Sequence, residues 1–142
     1  MKSILGGLAG AAALNILHES IRRFDHFAPR VDLIGEEALT KLTKAAGATP
    51  LTGNARYGAT LAGDLVSNAL YFALIGIGLK KHLIARGAAY GLAAGVGALA
   101  LTKPMGLSDA PVNRTARTQV MTVAYYAIGG LVAALAMRAL KK

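Results

Sequence analysis

The chain has 142 residues, of which 54% are hydrophobic and 16% are charged, with no Cys, no Trp and a formal net charge of +9. The length favours one domain, but soluble domains carry about 25% charged residues. The absence of Cys excludes disulfides, thiol catalysis and Cys-ligated metal sites. Because the apolar residues are clustered in long runs that basic residues flank, the composition predicts a protein that contacts membrane lipids and not nucleic acid.

Four apolar runs approach the roughly 20 residues that a helix needs to cross a hydrocarbon core about 30 Å thick. None alternates with a period of two, and helices satisfy their own backbone hydrogen bonds in lipid. We therefore predict an all-α integral membrane four-helix bundle, with residues 1–142 forming a single membrane domain. The first run follows Lys2 and contains small residues, as a signal peptide does, but we interpret it as a span. The predicted spans are about residues 4–21, 57–79, 83–101 and 118–140.

The connection between the first two runs contains an amphipathic segment at about residues 32–46. Leu33, Leu39 and Leu42 recur near helical spacing, and Glu37 and Lys41 form an i,i+4 pair. The pattern predicts a short helix at the membrane interface or across the mouth of the bundle. Such a helix can serve as an interfacial anchor, or as a lid or docking element.

A four-span topology places both termini and the turn around residues 80–82 at one end of the bundle, here called the terminal end. The two long connections, around residues 22–56 and 102–117, lie at the opposite end, here called the loop end. The short terminal-end segments carry dense basic charge and no acid, so the positive-inside rule predicts that this end is cytoplasmic. Their basic residues are Lys2, Lys80, Lys81, Arg86, Arg138, Lys141 and Lys142.

Glycines recur every fourth residue in the first and third spans, where they share one face of each helix. Glycine lets a neighbouring backbone approach closely, so we expect these two helices to contact each other, or to meet a homodimeric or other membrane-protein partner. The first and second spans also resemble the third and fourth over short stretches, which predicts a parallel repeat of one helical hairpin. The predicted packing glycines are Gly6, Gly10, Gly87, Gly91 and Gly95.

Asp64 stands within the second apolar run. A carboxylate at the centre of a span costs roughly 2.5–3.5 kcal/mol on insertion scales, so intramembrane ionisable residues are candidate functional residues. The other polar residues of the spans also cluster in the half of each helix nearer the loop end. The candidate site residues are Asn15, His18, Glu19, Arg22, Asp64, Asn68, Lys103 and Arg117.

Two non-enzymatic interpretations of this polar half compete. In one, it forms a one-sided vestibule that binds or passes an ion, a polar solute or a lipid headgroup, and this is the function that we predict first. In the other, the acidic side chains pair with Arg22, Lys103 or Arg117 and lock the bundle of a structural or accessory subunit. The two differ in whether Asp64 faces a cavity or a cation.

A third interpretation is a membrane-surface enzyme in which His18 acts with Glu19 or Asp64 as acid and base. However, adjacent His18 and Glu19 point about 100° apart on a helix, and the chain has no recognisable nucleophile motif. His26 and His82 fall at opposite ends of the predicted topology, so the histidines cannot converge on a metal. The sequence therefore predicts no catalytic residue, no metal site and no cofactor.

Residues 90–97 are Tyr-Gly-Leu-Ala-Ala-Gly-Val-Gly, and residues 103–111 are Lys-Pro-Met-Gly-Leu-Ser-Asp-Ala-Pro. A glycine-rich span that leads into a Pro-Met-Gly-Leu turn resembles the YagU-like small inner-membrane proteins, over about twenty residues of this chain. The resemblance implies a four-helix protein of the bacterial inner membrane. It carries over no activity, cofactor or site residue.

Overall fold

The computed structural model describes residues 1–140, and Lys141 and Lys142 lie outside the described residues. The described part of the chain is helical and contains no strand, which confirms the all-α prediction. Two short 3-10 turns, Leu74–Gly76 and Lys80–His82, lie between the second long helix and the third. The α-helices are α1 (Lys2–Ile21), α2 (Val31–Ala45), α3 (Gly53–Ala73), α4 (Leu83–Leu101), α5 (Ala110–Asn113) and α6 (Ala116–Leu140).

Four helical segments are long and apolar enough to cross a membrane, as predicted: Lys2–Ile21, Gly53–Gly76, Lys80–Leu101 and Ala116–Leu140. The second begins at Gly53, earlier than the predicted residue 57. Thr52, the residue before it, is extended. At the other end of this segment the chain reverses at Gly78, whose φ of 99° lies in the left-handed region that favours glycine.

Helix α6 packs against both α1 and α4, and α3 packs against α1. By contrast, α3 and α4 touch each other only sparsely, although they are consecutive long helices. The buried core therefore lies along α6, with contributions from α1, α4 and the end of α3. Its largest members are Leu14, Phe72, Ile75, Leu83, Tyr125, Tyr126 and Met137.

The predicted packing glycines all face α6, and the expectation that the first and third spans contact each other is wrong. The glycines of α1 lie against one face of α6, where Gly129 and Ala133 are small. Those of α4 lie against another face, next to Gly130 and Ala134. Because α6 presents small residues on two faces, it separates the two glycine-bearing helices. The glycines concerned are Gly6 and Gly10 of α1 and Gly87, Gly91 and Gly95 of α4.

Helix α2 occupies nearly the same residues as the predicted amphipathic segment. None of its residues is buried, and its main contacts are with α3. Gly35 lies directly against Thr60 of α3, and Glu36 accepts a hydrogen bond from Arg56 Nε at 2.7 Å. On the other side, the backbone N–H of Ser108 donates to Glu37 at 2.9 Å. Polar contacts therefore hold α2 across the loop end.

Candidate functional site

The candidate site is a cavity of about 420 Å³ between α3 and α4. The two helices meet near the terminal end, where Tyr71 Oη donates to the carbonyl of Tyr90 at 3.0 Å. Arg86 Nε also donates to the carbonyl of Ile75 there, at 2.8 Å. Toward the loop end the helices part, and the space between them is backed by α1 and α6 and bordered by α2.

The cavity brings together five of the eight predicted site residues with five other polar residues that were not among the candidate site residues. Its apolar lining includes Val31, Ile34, Leu61, Leu101, Val112 and Tyr126. The predicted polar residues that line it are Asn15, His18, Glu19, Asp64 and Asn68, and the others are Asp32, Tyr57, Thr60, Ser67 and Thr102.

Asp64 is half-buried on the α3 wall of this cavity. Asn68 Nδ2 donates to Asp64 Oδ1 at 2.9 Å, which is the i,i+4 contact that the sequence places on one helix face. In residues 1–140 the ion pairs engage five other acidic residues, and none engages Asp64. Asp64 therefore faces a cavity and an amide, and not a cation.

His18 also lines the cavity, although its Nε2 atom is buried and not exposed to it. Its Nδ1 lies 3.1 Å from the carbonyl of Leu14, and because a carbonyl can only accept, Nδ1 carries the hydrogen. Tyr125 packs edge-on against the ring, with a centroid distance of 5.1 Å. In the uncharged ring Nε2 is then an acceptor, and it is buried without a hydrogen-bond partner, as is Thr60 Oγ1.

A charge cluster lies at the loop end of the cavity. Arg22 donates to Glu19 and to Asp32, each at 2.6 Å, and to Tyr57 Oη at 3.0 Å. Arg30 adds a second ion pair to Asp32 at 2.7 Å. Burial raises the pKa of Asp32, but the hydrogen bonds and charges of Arg30 and Arg22 outweigh it and hold that pKa below its ordinary value. Glu19 and Asp32 are thus both neutralised by arginine.

The expectation that Lys103 and Arg117 face the acidic residues of the cavity is wrong. Lys103 is exposed, and neither residue lines the cavity. Arg117 instead pairs with Asp25 at 2.5 Å and lies over the ring of Phe27, 5.1 Å from its centroid. The reason is that α6 begins beside the 22–30 connection and not beside α3, so its first turn meets a different carboxylate from Asp64.

Thr60 is the cavity residue that the sequence could have identified, because it stands four residues before Asp64 and eight before Asn68. Residues spaced by four lie on one helix face, so these three side chains form a polar stripe along α3. Asp32 carried no comparable signal, since its place in the site depends on how α2 packs against the long helices.

Comparisons with protein-family models, curated proteins and solved structures find no match. The resemblance to YagU-like proteins therefore stays a prediction, and the chemistry of the cavity follows from its own residues. In the described part of the chain, no three His, Cys, Asp or Glu side chains converge in a way that would hold a metal ion. The arrangement offers one carboxylate without an ion pair, and apolar walls.

Proposed function

We propose that this chain is an integral membrane protein that binds a small solute in the cavity between α3 and α4. The observation that supports this most strongly is Asp64, a carboxylate in an apolar helix that faces a cavity and not a cation. A buried charge is costly unless it is paired or solvated. Water or a bound solute in the cavity would solvate or neutralise the Asp64 carboxylate and so reduce that cost.

In this proposal the four long helices cross the bacterial inner membrane with both termini in the cytoplasm. The terminal-end segments of the described residues carry basic residues and no Asp or Glu, which is the pattern of the cytoplasmic side. The cavity then opens toward the opposite face of the membrane. The basic residues concerned are Lys2, Lys80, Lys81, Arg86 and Arg138.

We further propose that α2 acts as a lid on the loop-end side of the cavity. Val31, Ile34 and Gly35 form part of the cavity wall, yet no residue of α2 is buried. An element with few buried apolar contacts opens at low cost in free energy. The contacts from Arg22, Arg56 and the Ser108 amide would hold the closed position.

A second candidate function is that of an accessory subunit with internally neutralised charges. The cluster of Arg22, Glu19 and Asp32 favours it, because each of these carboxylates has an arginine partner. Asp64 lies outside that cluster and has no arginine partner. Charge neutralisation therefore explains why Glu19 and Asp32 are present but not why Asp64 is, whereas a binding function explains Asp64.

The absence of Cys makes this chain well suited to a thiol-accessibility test, since every introduced Cys is the only one. Ser67 is exposed and lines the cavity, whereas neighbouring Val66 is 58% exposed and points away from it. In membrane vesicles, we expect a charged methanethiosulfonate reagent to modify Ser67→Cys quickly and Val66→Cys at least about tenfold more slowly, because a thiol in hydrocarbon does not ionise. Mass spectrometry measures both rates.

Each other outcome is informative. Equal, fast modification of both variants would mean that α3 is not embedded in lipid. Slow modification of both would mean that the cavity has no aqueous connection, and the binding function would then be wrong. Adding a membrane-impermeant reagent to intact cells tests the orientation, because Ser67→Cys should react from outside.

A further inference from the structure

We infer that the cavity binds an amphiphilic amine, with its ammonium group at Asp64 and its apolar body between α3 and α4 toward the lipid. This inference rests on the proposed function and specifies the chemistry of its ligand. Three properties of the cavity support it: the sign of its charge, the hydrogen bonds that the Asp64 carboxylate can still accept, and the apolar character of its walls and rim.

The charge of the lining is acidic. The charged side chains that line the cavity are those of Glu19, Asp32 and Asp64, and no Lys or Arg of the described residues is among them. Arginine neutralises the first two from outside the lining. The remaining charge, on Asp64, favours a cationic ligand and disfavours a phosphate or a carboxylate, whose charge would repel it.

The free polar group favours a hydrogen-bond donor. The Asp64 carboxylate accepts one hydrogen bond, from Asn68, and has the capacity to accept more. An alkylammonium group brings three N–H donors and one positive charge. A bare divalent cation such as Ca²⁺ takes about six to eight oxygen ligands, and a single unpaired carboxylate does not supply them.

The walls and the opening favour an apolar body on that amine. Leu61 of α3 and Ala98 of α4 line the cavity from opposite sides. Leu101 and Met105, at the loop end of α4, also line the cavity and are exposed. With α4 in the bilayer, this apolar part of the rim meets lipid, so a hydrocarbon chain can extend into the membrane while the charged group stays in the wetted part of the cavity beside Asp64 and Ser67.

The test uses the full-length Ser67→Cys protein in lipid nanodiscs with three probes of equal chain length, namely octylammonium, octanol and octanoate. We expect octylammonium to slow thiol modification at a concentration at least about tenfold lower than octanol, which corresponds to about 1.4 kcal/mol. Octanoate should give no protection. Adding Asp64→Asn should abolish the preference for octylammonium over octanol, whereas Asp64→Glu should keep it. Glu37→Gln, which changes a carboxylate outside the cavity in the same way, should have no effect.

The failures of the two proposals are distinguishable. Protection by octanoate equal to that by octylammonium, or a preference that survives Asp64→Asn, would overturn the cationic ligand while leaving the cavity in place. Rapid modification that no probe slows would overturn the amphiphilic ligand. If Ser67→Cys does not react without a probe, the proposed function itself is wrong. Thermal unfolding of each variant identifies any that is misfolded. If Asp64→Asn is misfolded, the preference of Asp64→Glu for octylammonium over octanol tests the cationic ligand instead.

Discussion

The α4–α6 contact and the α3–α4 pair show how the same four-residue spacing can close one helix interface and open another. On α4, glycine recurs at Gly87, Gly91 and Gly95, and the backbone of α6 lies directly against it. On α3, the residues at this spacing are Thr60, Asp64 and Asn68, and α4 stands away from them. Spacing alone predicts a shared helix face, and the residue type decides whether that face is closed by a neighbour or left to solvent and ligand.

This difference separates the residues that stabilise the molecule from those available for binding. Close backbone contact gives van der Waals attraction, which drives helix association in lipid. Polar residues that face a cavity contribute little of this attraction and can be retained for function at some cost in stability. Substitutions in the α4–α6 contact should therefore change the free energy of unfolding, and those in the cavity should change binding.

Gly91→Ala gives the largest expected effect. A Cβ at Gly91 would lie 2.6 Å from the carbonyl oxygen of Tyr126, an atom of the α6 backbone and not of a flexible side chain. We expect the free energy of unfolding to fall by about 1–3 kcal/mol, as for an overpacked core. Gly97, on the same helix at the cavity wall, is the control, because its nearest neighbour there would be Leu101 Cδ1 at 3.8 Å.

Gly97→Ala should leave the free energy of unfolding unchanged or raise it by up to about 1 kcal/mol, since alanine favours the helix. Chemical denaturation in detergent micelles measures both variants. Equal destabilisation by the two substitutions would contradict the distinction between a closed and an open helix face.

Arg22→Gln should have the next largest effect. The Arg22 side chain is only 20% exposed and bonds to Glu19, Asp32 and Tyr57. Removing one partner of a buried ion pair costs about 3–5 kcal/mol, and partial exposure reduces this to about 1–2 kcal/mol by solvent screening. Lys41→Gln is the matched control, and it should change the unfolding curve very little because that side chain is 53% exposed.

A smaller effect is expected from pH, and it should come from the loop end and not from the α4–α6 contact. Because the pKa of Asp32 is held below its ordinary value of 3.8, the unfolded chain takes up this proton more readily than the folded one. The stabilisation is therefore complete above about pH 5 and is lost as the pH falls through the ordinary value and then the lowered pKa. Melting temperatures measured between about pH 6 and pH 3 should fall less steeply in Asp32→Asn than in the native protein. Parallel curves would show that Asp32 does not contribute.

The positions of the helices could be predicted from this sequence, because length and hydropathy are local properties. The first span, α2 and the end of α4 lie within a residue or two of their predicted bounds. The pairing of helices could not be predicted, since glycine marks a close contact without identifying the partner. The sequence shows that α1 and α4 have glycine faces, but only the structure shows that α6 lies between them.

The ion pairs also fall into two groups, those that helix geometry predicts and those that depend on tertiary packing. Glu19 and Arg22 are three residues apart on one helix, and their contact follows from helix geometry. Arg117 was expected to pair with Glu19 or Asp64, but it pairs with Asp25, and this depends on how the 22–30 connection folds against α6. Thr118 fixes that arrangement by donating to the carbonyl of Phe27 at 2.8 Å. Such tertiary contacts leave no periodic signal in the sequence.

Asp64→Asn should have the smallest effect on stability. It therefore gives the sharpest test of the difference between the closed α4–α6 contact and the open α3–α4 pair. Asn68 is the hydrogen-bond partner of the Asp64 carboxylate, and an amide at position 64 can still accept from it. No arginine or lysine of the described residues loses an ion pair. We therefore expect the free energy of unfolding to change by less than about 0.5 kcal/mol.

Glu19→Gln provides the matched comparison, because it makes the same chemical change on another wall of the same cavity. It removes an ion pair to Arg22, so its free energy of unfolding should fall by more than that of Asp64→Asn. Denaturation of the two variants side by side gives the difference. A loss on Asp64→Asn as large as that on Glu19→Gln would assign Asp64 to the structure of the protein. A carboxylate that adds nothing to stability and yet lies in an apolar helix is instead accounted for by what it binds.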